Sequence, residues 1–107
     1  MKPDLFDIVK SASTLADATH GHRTIHDVLA HTVSELGETA EEVNIASGIS
    51  YKKPGVDGVV GEAVDVMLCL LDLIHKYDPT ITKEQINALA EAKCQKWLKK
   101  LDEDANR

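Results

Sequence analysis

Apolar residues recur along most of the chain at the three- and four-residue spacing of amphipathic α-helices. This pattern predicts four helices, over residues 4–18, 24–46, 59–77 and 83–101. Glycines and the prolines Pro3, Pro54 and Pro79 separate them. Strand-like alternation is not sustained anywhere. The sequence therefore predicts an all-α, four-helix bundle-like single domain over residues 1–107, with a core of about 4–101 that is completed by oligomerisation.

The third predicted helix is apolar nearly all the way round, so we expect it to lie in the middle of the bundle, covered on most sides. Small helical units with one such helix tend to bury it against another subunit. A homodimer or homotetramer is therefore expected. Trp97 shares an apolar face with Leu89, Cys94 and Leu101, which favours core or interface packing over stacking on a base.

Charge and cysteine content narrow the possible functions. The 107 residues include 18 Asp and Glu but only 12 Lys and Arg, giving a net charge of −6. This acidity argues against a nucleic-acid partner, because phosphate backbones are bound by excess Lys and Arg. No apolar leader opens the chain, and Glu62, Asp65 and Asp72 interrupt its most apolar stretch, which argues against a membrane span. Cys69 and Cys94 lack a CxxC spacing, so we expect reduced thiols and a cytoplasmic protein.

Two pairs of carboxylates stand out from the other acidic residues. Glu35 and Glu38 share a face of the second helix, where a solvated surface is the simplest interpretation. Glu62 and Asp65 have the same spacing, but they lie on the apolar third helix. Burying adjacent carboxylates costs several kcal/mol, and bound divalent cations are the simplest compensation. Oxygen ligands alone favour Mg²⁺, with Mn²⁺ as an alternative, and Mg²⁺ commonly keeps positions open for substrate phosphates.

The two pairs resemble a known signature. Glu35-Leu36-Gly37-Glu38, followed after 23 residues by Glu62-Ala63-Val64-Asp65, resembles the ExxE…ExxD motif of the MazG-like all-α nucleoside triphosphate pyrophosphohydrolases. That superfamily also includes dimeric dUTPases, dCTP pyrophosphatases and phosphoribosyl-ATP pyrophosphohydrolases. The resemblance covers about residues 25–99.

The resemblance implies a hydrolase that cleaves a (d)NTP between the α and β phosphates, releasing a (d)NMP and pyrophosphate in nucleotide-pool housecleaning. The metal would hold the triphosphate and activate the attacking water. The implied catalytic residues, which are also the implied Mg²⁺ ligands, are Glu35, Glu38, Glu62 and Asp65.

The resemblance also suggests residues around the metal. Glu41 and Glu42 are both candidates for an outer-shell base. Lys93 and Lys96 resemble the family's late Lys-x-x-Lys, which contacts phosphates, and Lys52 and Lys53 are candidates for the same positive rim. His31 lies one turn before Glu35 and is a candidate for a supporting or base-contacting role. The chain departs from the family at Ser34, where a Glu is common, and at Trp97, where an Asn is common.

Two alternatives stay open from the sequence. A phosphoribosyl-ATP pyrophosphohydrolase would share the same carboxylates. A non-enzymatic helical interaction module would use them only to bind a structural cation. Asp72 is expected to pair with a lysine or to lie at a subunit interface, and not to bind the metal.

Overall fold

The computed structural model describes residues 4–107, and the regular structure in that range is entirely α-helical. Pro3, one of the expected helix boundaries, lies outside the described residues. The helices are α1 Leu5–His20, α2 Ile25–Ala46, α3 Gly58–Tyr77 and α4 Lys83–Ala105. The predicted all-α fold with four helices is confirmed, and α4 continues four residues beyond its predicted end.

Local sequence explains where the helices begin. Asp4 caps α1 by accepting a hydrogen bond from the backbone N–H of Phe6 at 3.0 Å. Both α2 and α4 start with a capping box, formed by Thr24 with Asp27 and by Thr82 with Gln85. In each box a threonine hydroxyl and a side chain three residues later satisfy the otherwise unpaired N–H groups of the first turn.

The packed part of the molecule is formed by α1, α2 and α3. The helices α2 and α3 pack along one another as a hairpin, and α1 packs on α3. Phe6, Val9 and Val28 are the buried apolar residues of this core. The Phe6 ring meets the His75 ring edge to face, with 6.5 Å between the centroids. This arrangement holds the carboxylate-bearing faces of α2 and α3 together.

A network of charged side chains joins the α1–α2 turn to α3. The Arg23 guanidinium donates to Asp17 at 2.8 Å, to Asp72 at 2.7 Å and to the Ser13 hydroxyl at 2.8 Å. Lys76 forms an ion pair with Asp17 from the last turn of α3. Lys76 and Arg23 together hold the pKa of the Asp17 carboxyl well below its usual range. Asp72 therefore pairs with Arg23 in place of the lysine that the sequence suggested, and the alternative, a position at a subunit interface, stays a prediction.

The expectation that α3 is covered on most sides is wrong for a single chain. No residue of α3 is fully buried, and Val60, Met67 and Leu70 are exposed. The physical reason is the course of α4, which packs near α3 only through its first turn. Every residue of α4 after Ile86 is exposed, including Trp97, which keeps 66% of its surface accessible. None of the helices within residues 4–107 is both long and apolar enough to cross a membrane.

Candidate metal centre

Three carboxylates meet between α2 and α3. One carboxylate oxygen each from Glu35, Glu62 and Asp65 lies within 4.8 Å of the other two. The spacing of three residues between Glu62 and Asp65 turns both toward α2, where Glu35 faces them. Glu38, the fourth predicted ligand, is exposed on the next turn of α2 and is close enough for its charge to act on both Glu35 and Glu62. We refer to these four residues as the acidic cluster.

Two oxygens of the acidic cluster lack a hydrogen-bond partner. Glu35 Oε2 and Glu62 Oε2 are buried, and no described residue donates to either atom. The other oxygen of Glu35 lies 3.4 Å from Nε2 of His31. Among residues 4–107, no lysine or arginine forms an ion pair with the cluster. Buried carboxylate oxygens in proteins are normally hydrogen-bonded. Because Glu35 Oε2 and Glu62 Oε2 are not, their lone pairs are available to coordinate a ligand.

Burial and mutual repulsion disfavour the charged form of this cluster. Burial raises the pKa of the Glu35 carboxyl, and the neighbouring carboxyl groups of Glu38 and Asp65 raise it further. Burial also raises the pKa of Glu62, with added repulsion from Glu38, Asp65 and Glu35. Both shifts have the cause expected when several anions share a poorly solvated space. A bound cation would relieve that repulsion.

The donor set fits a hard divalent cation. All the ligand atoms are carboxylate oxygens, and neither histidine nor cysteine contributes to the group of three. Mg²⁺ and Mn²⁺ prefer such ligands, whereas Zn²⁺ in proteins is bound mostly through nitrogen and sulfur. A cation bound here would give the two unpartnered oxygens a partner and would offset the repulsion that raises the pKa values of Glu35 and Glu62.

Glu41 and Glu42, the candidates for an outer-shell base, are both engaged with the α2–α3 loop. Glu42 is buried and accepts a hydrogen bond from the Gly55 backbone N–H at 2.6 Å. Glu41 lies 3.4 Å from the Lys52 ammonium. The structure thus uses these two side chains to tether the loop and places neither in the group of three carboxylates.

The predicted phosphate-binding lysines are not gathered at the acidic cluster of their own chain. Lys93 and Lys96 lie on the exposed length of α4, and Lys53 is exposed in the α2–α3 loop. Lys52 is engaged by Glu41. In the described part of the chain, none of the four forms an ion pair with the cluster. A single chain therefore brings three of the four predicted carboxylate ligands together, but it does not bring the predicted phosphate-binding lysines to them.

Sequence reasoning missed Arg23, which lines a cleft beside the acidic cluster. The cleft has a volume of about 270 Å³, and His31 connects it to Glu35. Its remaining wall consists of Asp27, Val28, Cys69 and Asp72. One signal was available: Arg23 is the only arginine apart from the terminal Arg107, and it stands at the break between two helices.

Comparison of the chain with known proteins identifies no relative that would assign a function to this site. No protein-family model matches the chain, and neither a curated protein nor a solved structure shows significant similarity to it. The fold and the site define an all-α protein with a carboxylate cluster suited to a divalent cation. Its place among the MazG-like enzymes stays a prediction from the ExxE…ExxD motif.

Proposed function

We propose that the protein is a Mg²⁺-dependent nucleoside triphosphate pyrophosphohydrolase of MazG-like type, which cleaves a (d)NTP to a (d)NMP and pyrophosphate. One observation carries this proposal: carboxylate oxygens of Glu35, Glu62 and Asp65 lie within 4.8 Å of one another. Two buried oxygens of this group have no partner. The motif resemblance supplies the reaction type, and the geometry supplies a site that could hold the cation such a reaction needs.

Each residue of the site has a distinct task in this proposal. Glu35, Glu62 and Asp65, with Glu38 at the exposed edge, would hold Mg²⁺. The bound cation would neutralise the carboxylates and polarise the phosphoryl oxygens of the substrate. In this proposal Glu38, at the exposed edge, would accept the proton that the attacking water releases. His31 lies against the Glu35 carboxylate at 3.4 Å and so helps to fix its orientation.

The cleft beside the acidic cluster offers space for the rest of the nucleotide. It is enclosed by α2, α3 and the α1–α2 turn, and Arg23 and His31 both line it. His31 joins this cleft to the acidic cluster through its 3.4 Å contact with Glu35. In this proposal the phosphate chain would bind the metal and the rest of the nucleotide would occupy the cleft.

The test is release of pyrophosphate from a panel of NTPs and dNTPs in the presence of Mg²⁺. We expect turnover of at least one triphosphate, and loss of that turnover in Glu38→Gln and Asp65→Asn. Glu103→Gln, which makes the same change on the exposed part of α4, is the matched control and should keep full activity. Unchanged activity in both cluster variants would refute the proposed metal centre.

The same assay separates the two alternatives. Phosphoribosyl-ATP belongs in the panel, and its exclusive hydrolysis would identify a phosphoribosyl-ATP pyrophosphohydrolase. A non-enzymatic metal-binding helical module is favoured by one observation, the absence of any ion pair between the lysines of α4 and the cluster among residues 4–107. Tight Mg²⁺ binding with no turnover of any substrate would support that module and reject the enzyme.

A further inference from the structure

Helix α1 forms one wall of a second cavity, which adjoins the cleft beside the acidic cluster. This cavity has a volume of about 330 Å³ and lies between α1 and α3, and we call it the inner cavity. Four residues line both spaces: Arg23, His31, Cys69 and Asp72. Half of the lining comes from α1, through five residues between Ile8 and Ala16. The inner cavity therefore opens when α1 moves away from α3.

Apolar packing attaches α1 to α3 only over the first half of α1. Phe6 and Val9 are its buried apolar residues, and both precede the middle of the helix. Leu15, the large apolar residue of the second half, keeps 65% of its surface exposed. Hydrophobic burial therefore does little to hold the end of α1 that leads into the connection to α2.

Charged side chains hold this second half of α1 instead. The Asp17 carboxylate accepts a hydrogen bond from Arg23 at 2.8 Å and forms an ion pair with Lys76. The same guanidinium donates to the Ser13 hydroxyl at 2.8 Å. Lys76 lies in the last turn of α3 with only 9% of its side chain exposed, and among residues 4–107 its ion-pair partner is Asp17. We call these contacts the Asp17 latch.

The connection between α1 and α2 allows α1 to move as a unit. It consists of the four residues 21–24, all of them exposed or half-buried. Gly21, which directly follows α1, has a φ of +91°, in the left-handed region that residues with a Cβ rarely adopt. A Cβ added to Gly21 would meet no atom within 4 Å, so this side of the backbone faces open space. A rotation at Gly21 separates α1 from α3 without disturbing the packing of α2 on α3.

We propose that α1 is a lid over the inner cavity, which the Asp17 latch holds closed and which opens by rotation at Gly21. Opening breaks the contacts of Asp17 and Ser13 but leaves Arg23 bound to Asp72 at 2.7 Å. The latch consists largely of charged hydrogen bonds, which are stronger than neutral ones, so it determines how often the cavity opens. Only the identity of the molecule that enters the cavity rests on the proposed function.

The thiol of Cys69 allows the opening to be measured, because Cys69 lines the inner cavity. The other cysteine, Cys94, is exposed and is replaced by serine so that one thiol remains. We expect Cys69 to react with the disulfide reagent dithionitrobenzoate more slowly in folded Cys94→Ser than in the same chain unfolded in urea. Adding Asp17→Asn should raise the rate in the folded protein at least about tenfold, through loss of charged hydrogen bonds in the latch. Asp102→Asn, the same change on the exposed part of α4, is the matched control and should leave the rate unchanged.

Hydrogen exchange distinguishes opening of the lid from unfolding of the whole chain. We expect the amides of α1 to exchange together, and faster than the amides of α2 and α3. Their exchange should also depend less on urea concentration, because opening the lid exposes less surface than global unfolding does. Exchange of α1 with the rate and the urea dependence of α2 and α3 overturns the lid. A thiol reaction that Asp17→Asn does not accelerate overturns the latch.

The link to the proposed function is measured separately. Mg²⁺ with a triphosphate that the wild type hydrolyses should slow the reaction of Cys69, because a bound nucleotide would fill the cleft that Cys69 also lines. An unchanged rate at saturating triphosphate would place the nucleotide outside the cleft and leave the lid standing. Absence of turnover in the wild type, with the thiol reaction and hydrogen exchange as expected, would reject the proposed function but not the lid.

Discussion

Burial of Glu35 and Glu62 among like charges makes the folded, metal-free protein bind protons more readily than the unfolded chain does. The pKa values of both carboxyls are raised by burial and by their neighbours. A carboxyl with a raised pKa in the folded state lowers stability wherever it is ionised, and this penalty disappears as the pH falls toward the ordinary value of 4.5. Stability of the metal-free protein should therefore decline as pH rises through and above that value.

Replacing one of these carboxyls with an amide isolates the effect. We expect Glu62→Gln to raise the melting temperature of the metal-free protein at neutral pH and to weaken its decline as the pH rises above 4.5. Addition of Mg²⁺ should stabilise the wild type more than the variant, because the variant has lost a ligand. Differential scanning calorimetry in EDTA and in Mg²⁺ measures both effects, with Glu103→Gln as control. A melting temperature that falls in Glu62→Gln would contradict the repulsion.

At the scale of the elements, the Arg23 side chain holds the α1–α2 turn against α3. Its guanidinium donates to Asp17, Asp72 and Ser13, and a charged hydrogen bond of this kind contributes about 1.5–3 kcal/mol. We expect Arg23→Gln to lower the melting temperature by at least about 5 °C. Arg23→Lys keeps the charge but loses the forked geometry of the guanidinium, so its melting temperature should lie between those of the wild type and Arg23→Gln. Equal melting temperatures for all three proteins would show that the network does not hold the turn.

Two glycines give opposite predictions for α2 and α3. Gly37 lies inside α2 with open space around an added Cβ, and alanine there should stabilise the protein by about 0.5–1 kcal/mol. Gly61 lies in the first turn of α3, where an added Cβ would collide with the Asp57 Cβ. Gly61→Ala should therefore lower the melting temperature while Gly37→Ala raises it. Chemical denaturation of the two variants measures whether the free energy of unfolding rises or falls. A stabilising Gly61→Ala would mean that the first turn of α3 has a different conformation.

The helices and the acidic cluster were predictable because both follow from spacing within one helix. Apolar residues at three- and four-residue spacing determine which face of each helix is apolar. The two carboxylate pairs, each with a spacing of three residues, come together once α2 and α3 face one another. Features that depend on the path between helices were not predictable. The contacts of Arg23 require the particular α1–α2 turn, and the Glu42 contact to Gly55 requires the particular α2–α3 loop. The spacing of apolar residues also does not show whether an apolar face is covered within its own chain. The sequence therefore did not predict that α4 is exposed beyond Ile86.

At the scale of the whole molecule, the net charge has a definite location. Six acidic residues lie on the α2 and α3 segments that form the cluster and its loop tethers, and their number equals the net charge of −6. The rest of the chain is formally neutral. These residues are Glu35, Glu38, Glu41, Glu42, Glu62 and Asp65. Four of these six residues form the acidic cluster, while Glu41 and Glu42 hold the α2–α3 loop. A bound cation would let the acidic cluster accept a phosphate chain although the chain is acidic.

The open shape of the single chain predicts that its folding is coupled to association. If α4 is covered only in the dimer, a tenfold rise in protein concentration stabilises the folded dimer by about 1.4 kcal/mol, or roughly 3–5 °C in melting temperature. Ala90 lies on the apolar face of α4 that carries Cys94 and Trp97, so Ala90→Glu should abolish this concentration dependence and lower the melting temperature. Ala92→Glu, on the opposite face of α4, should retain the wild-type dependence. Thermal unfolding followed by circular dichroism over a hundredfold range of concentration measures the slope. A melting temperature of the wild type that is constant over that range would show that the three packed helices are stable without a partner, and that α4 projects freely from them.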